Sequence, residues 1–140
     1  LGRVYFFEDK YELAIDTYTK ALQLDPDNTK IREILGQLYL KQEAYKEALI
    51  VYKEIAALEP DNTRIRTRIG LIYLEMKDYS SALEAFQQVL NKEPNSPKVY
   101  YYLAISYEEM HKYSEALQNL KKVIELDPKS VQARFVMGRI

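Results

Sequence analysis

The chain has 140 residues, 47% of them hydrophobic and 29% charged, enough apolar material for a packed core without metal or disulfide support. Its 20 basic and 21 acidic side chains leave a formal charge of −1, so no whole-molecule field favours nucleic acid or an anionic membrane. The absence of cysteine excludes a disulfide scaffold and a thiolate metal site.

From the N-terminus, Leu1-Gly2-Arg3-Val4 aligns with Met137-Gly138-Arg139-Ile140 in the interior of a first helix, so the chain opens inside a helix. A second helix follows and ends at Asp25-Pro26. IREILGQLYLKQ (31–42) and YKEALIVYKEIAAL (45–58) are both amphipathic, with apolar residues recurring every three or four positions, and they form the first complete hairpin. Two more hairpins follow, and residues 131–140 begin a further first helix. Asn28-Thr29, Asn62-Thr63, Ser96 and Ser130 supply N-cap oxygens for the first helices, with Pro97 suited to a first helical position. The Asp-Pro and Glu-Pro steps end the second helices, because proline disfavours helical geometry in the residue before it and lacks the amide donor. The longest apolar stretches, such as IGLIYL (69–74), fall far short of the roughly 20 residues a membrane span needs. No signal-peptide pattern opens the sequence, and the chain is expected to be soluble.

Pro26, Pro60, Pro94 and Pro128 are each 34 residues apart. The same step aligns Gly36, Gly70, Ala104 and Gly138, then Tyr39, Tyr73 and Tyr107, then Ala48, Ala82 and Ala116, then Tyr52, Phe86 and Leu120. Such a period marks stacked supersecondary units that bury a continuous core only by packing on their neighbours. An all-α solenoid of helix pairs follows.

Leu35-Gly36, Tyr39, Ala48, Tyr52 and Pro60, with Ile69-Gly70, Tyr73, Ala82, Phe86 and Pro94, resemble the tetratricopeptide repeat family, as do Leu103-Ala104, Tyr107, Ala116, Leu120 and Pro128. The resemblance covers the chain as a single array (1–140): a partial repeat 1–28, full repeats 29–62, 63–96 and 97–130, and a partial first helix 131–140. It implies a right-handed superhelix of antiparallel helix pairs. In two respects the sequence departs from the family pattern. The opening aromatic slot holds Arg32, Arg66 and Arg134 beside Tyr100, and the glycine usual between paired helices is replaced by Asp9, Glu43, Lys77 and His111. The three arginines are expected to lie over the core and meet the last carbonyls of the partner helix.

In the family, one face of the first helices lines a concave groove that binds peptides. Carried over residue by residue, that face comprises Arg3, Phe6, Lys30, Glu33, Gln37, Leu40, Arg64, Thr67, Leu71, Leu74, Lys98, Tyr101, Ile105 and Glu108, with Phe7 and Phe135 at the ends. An apolar floor edged by Lys30, Arg64 and Lys98 suits a partner segment with apolar anchors and some acidic groups. In the run KVYYYLAISYEEM (98–110), the repeat phase assigns Tyr100 and Tyr107 to the core, Tyr101 to the groove and Tyr102 to the seam with the preceding unit. The expected function is a non-catalytic protein-interaction scaffold. The alternative is a self-assembling array, a homo-oligomer joined head to tail through its open ends. No cofactor or nucleic-acid partner is expected. The basic run RIRTR (64–68) spreads its arginines around the helix, and His111 stands in a turn without a cysteine or an orienting partner.

Overall fold

The computed structural model describes the backbone of residues 2–140 and the side chains of residues 10–140. All regular structure among them is helical: α1 (Gly2–Leu24), α2 (Thr29–Lys41), α3 (Tyr45–Leu58), α4 (Thr63–Glu75), α5 (Tyr79–Lys92), α6 (Pro97–Glu109), α7 (Tyr113–Leu126) and α8 (Val131–Arg139). The helices fall into two compact units, Leu1–Ile65 and Arg66–Ile140. Among the described residues no helix is long and apolar enough to cross a membrane.

The expected caps form. Asn28 Oδ1 accepts the Ile31 amide at 3.1 Å and Asn62 Oδ1 that of Ile65 at 3.3 Å, while Ser96 and Ser130 hydroxyls accept from Val99 and Ala133 at 3.4 and 3.2 Å. Each removes one of the amides a helix start leaves unpaired. Among the second helices, Asp78 caps α5 by accepting from the Ser81 amide at 3.3 Å, whereas Ala44 and Lys112 give α3 and α7 no side-chain cap.

The turns within pairs close in one way. Glu43, Lys77 and His111 adopt φ of 57°, 62° and 61°, the left-handed region usually given to glycine. The amide one residue later then reaches back: Ala44 N to Tyr39 O at 2.8 Å, Asp78 N to Tyr73 O at 2.9 Å and Lys112 N to Tyr107 O at 2.8 Å. This is the Schellman arrangement, and it satisfies carbonyls that the helix end would otherwise leave open. The missing glycines therefore leave the turn geometry unchanged, at a cost of about 1–2 kcal/mol per left-handed residue.

At the N-terminus the structure departs from the repeat phase. Asp9 aligns with these turn residues, yet α1 continues through it without a break. A left-handed aspartate costs about 1–2 kcal/mol, and a helix that continues through it avoids that cost.

Packing within each pair depends on a small residue over a large one. In the first unit Gly36 lies against Tyr52, and a Cβ there would meet Tyr52 Cε2 at 2.6 Å; in the second, a Cβ on Gly70 would meet Phe86 Cε1 at 2.5 Å. Phe86 is buried with Ala82, Val89, Val99 and Leu103, and a second cluster joins Ala104, Leu120, Val123, Ala133 and Val136. The pairs are antiparallel: Arg32, in the first turn of α2, donates to Glu54 near the end of α3 at 2.9 Å, and Arg66 on α4 donates to Gln88 on α5 at 2.7 Å. The buried Ser106 hydroxyl is satisfied by the Tyr102 carbonyl one turn back, at 2.8 Å.

Candidate functional site

In the first unit the face singled out from sequence is polar. Lys30 and Gln37 are exposed, and Glu33 and Leu40 are half-buried. The Arg64 guanidinium grips the Glu33 carboxylate with two nitrogens, Nη2 donating to Oε2 at 3.1 Å and Nη1 to Oε1. This hydrogen bond raises the Arg64 pKa above its ordinary value. The cation thus already has an internal counter-charge. Arg3, Phe6 and Phe7 have side chains outside the described residues.

The second unit is more apolar. Leu71 and Leu74 on α4 pack against the Phe86 cluster, and Tyr101 and Ile105 on α6 against the Ala104 cluster, yet all four remain half-buried and keep some surface in solvent. Thr67 is half-buried and Lys98 exposed. Arg139 on α8 holds Glu108 through Nε to Oε1 at 2.9 Å and Nη2 to Oε2 at 2.8 Å, and its guanidinium carbon lies 5.8 Å from the Phe135 ring centroid. That hydrogen bond to Glu108 raises the Arg139 pKa.

The tyrosines of 98–110 have different surroundings. Tyr100 packs at the edge of both clusters and donates its hydroxyl to Pro94 O at 3.0 Å. Tyr102 stacks on Phe86 of the preceding pair, with ring centroids 5.5 Å apart. Tyr101 meets Tyr102 edge-on at 6.1 Å and lines a recess of about 350 Å³ together with Lys98, Asp127 and Gln132.

The family model for the tetratricopeptide domain of cytochrome c-type biogenesis protein H matches residues 1–100, and the tetratricopeptide repeat model matches residues 97–130. The chain belongs to the tetratricopeptide repeat family. Among solved structures it is similar to MamA, at 22% identity over 99% of this chain and 81% of that one, with a TM-score of 0.82. It is also similar to MamA from Desulfovibrio magneticus RS-1 (19% identity, 98% and 77% covered, TM-score 0.81) and to MamA of MSR-1 (30% identity, 94% and 75% covered, TM-score 0.74). Comparison with curated proteins finds no significant match. Tetratricopeptide repeats are scaffolds for protein interaction, and the families matched are non-catalytic.

Within the tetratricopeptide frame, two arginines of the opening aromatic slot, Arg32 and Arg134, bond differently from the sequence expectation. Arg134 donates to Pro128 O at 2.7 Å and Arg32 to Pro26 O, the position that Tyr100 meets at Pro94. Their acceptor is thus the carbonyl of the turn proline six residues back, rather than a last carbonyl of the partner helix, because a proline-ended turn leaves that oxygen within reach of the next helix's first turn. A tyrosine and an arginine both span the gap, which accounts for the substitution. His111 Nδ1 lies 2.8 Å from the Tyr113 hydroxyl, and among the described residues no group of acidic or histidine side chains could hold a metal ion. Sequence reasoning missed Asp127 and Gln132, although Gln132 stands one 34-residue step beyond Lys98.

Proposed function

We propose that this tetratricopeptide repeat protein holds a segment of a partner protein on the exposed face of its first helices, with the second unit supplying the affinity. The observation that carries this reading is the half-buried set Leu71, Leu74, Tyr101 and Ile105. These side chains are anchored on the core beneath and still have apolar surface to cover. Covering such surface favours binding by roughly 25 cal/mol per Å² before the costs of association are subtracted. Of the cation row, Arg64 already holds the Glu33 carboxylate and contributes less, while Lys30 and Lys98 are exposed. Acidic groups on the partner are therefore less important than the cation row suggests from sequence. The test uses a partner identified by affinity capture and then purified. Leu71→Ala with Tyr101→Ala should abolish its binding while circular dichroism reports unchanged helicity; binding at full strength would sink the reading.

A second reading is self-assembly, favoured by exposed apolar side chains on α1 and α8. Val131 and Phe135 on α8 are 78% and 68% exposed, and Leu13 and Leu24 on α1 are 68% and 90% exposed. A contact between the two ends would be heterologous and could propagate. Light scattering should then show mass rising with concentration, and a constant monomer mass would remove it.

A further inference from the structure

The recess between the beginnings of α6 and α8 lies wholly in the second unit and encloses about 350 Å³, at the lower end of the range for ligand pockets. Pro97, Val123 and the rings of Tyr101 and Tyr102 give it apolar walls, and Lys98, Asp127, Ser130 and Gln132 its polar lining. Tyr102 is already committed, with Phe86 stacked at 5.5 Å and the Lys98 ammonium 5.9 Å from its centroid. An occupant therefore finds the Tyr101 ring, the most available aromatic surface of the site.

Charge decides what that occupant is. The lining carries one ammonium and one carboxylate, so its formal charges cancel. An entering carboxylate or guanidinium would gain one partner, meet one like charge and lose its hydration. An uncharged ring with a donor at its tip avoids that conflict. It packs against Tyr101, gives its O–H or N–H to Asp127 or Gln132, and leaves Lys98 for a backbone carbonyl of the same segment. We propose that this recess is an anchor subsite for a tyrosine or tryptophan side chain of the partner segment. The proposal rests on the interaction-scaffold reading above and adds the chemistry of one anchor.

The chain contains no tryptophan, so the emission of an added indole reports on the probe alone. The isotope-labelled full chain is titrated with N-acetyltryptophan amide and N-acetyltyrosine amide, then with the glutamate and arginine analogues as charged controls. The aromatic probes should shift the amides of 97–102 and 127–132 and bind more tightly than either charged probe, and Tyr101→Ala should weaken them by about tenfold. Asp127→Lys changes an exposed residue and leaves the fold in place. It should weaken the aromatic probes and bring the glutamate analogue ahead of them. Aromatic probes that leave these amides unmoved, charged probes that bind as well, or an order unchanged by Asp127→Lys would each overturn the subsite. Partner capture that depends on Leu71 while the aromatics ignore the recess would refute only the subsite. Aromatics that seat in the recess of a chain whose partner binding ignores Leu71 and Tyr101 would instead remove the interaction face.

Discussion

Glycine at 36 and 70, and alanine at 104, follow from what each one covers. Gly36 lies on the Tyr52 ring and Gly70 on the Phe86 ring, while the third repeat places Leu120 in the same slot and Ala104 in the same cluster. A flat ring reaching the helix backbone leaves no room for a Cβ; the shorter leucine leaves room for one methyl. Gly70→Ala should therefore cost about 1–3 kcal/mol through overpacking, despite the better helix propensity of alanine. Gly138, where an added Cβ would meet nothing within 4 Å, should tolerate alanine with no loss. The decisive measurement is a double-mutant cycle by urea unfolding. In a Phe86→Leu background the cost of Gly70→Ala should shrink, and an undiminished cost would separate the two positions. The columns were visible in the sequence as a 34-residue recurrence. That one column rests directly on another required the packed helices, since 16 residues separate each pair along the chain.

Helix starts and stops are encoded locally, and most were legible. Asn28, Asn62, Ser96 and Ser130 cap as their chemistry dictates, because the acceptor and its amide lie three residues apart. The second helices are less well provided, and they suggest an experiment. Asp78 caps α5, but Ala44 and Lys112 stand in the same position for α3 and α7. Ala44→Asp and Lys112→Asp should each raise stability by about 0.5–1 kcal/mol, and Asp78→Ala should lower it by a similar amount, as read from denaturation midpoints at constant slope. The turn expected at Asp9 does not form. Glu43, Lys77 and His111 adopt left-handed backbone, and the chain around Asp9 instead continues as α1, avoiding that cost.

For the molecule as a whole, near-neutral charge is combined with internal pairing of Arg64, one of the three cations of the candidate row, and of Arg139. Arg64 is held by Glu33 in the first unit and Arg139 by Glu108 in the second. Both arginine side chains are at least half exposed, so solvent screens each pair and neither contributes much to stability. Association with a partner should consequently depend weakly on salt, with little steering by long-range fields. Raising ionic strength across the physiological range should change the association rate by less than about threefold, and a steep fall would restore the cation row to a leading role.

By itself the sequence determined the helix pairs from residue 29 onward, their 34-residue period and the caps. Each of these is set by neighbours within one or two turns or by a repeat spacing that can be counted. Only tertiary structure decided that Arg64 and Arg139 are neutralised, that arginine replaces an aromatic by reaching a proline carbonyl, and that Tyr101, Asp127 and Gln132 share one recess. Those outcomes join side chains from different helices, and their partners are chosen by packing rather than by proximity along the chain.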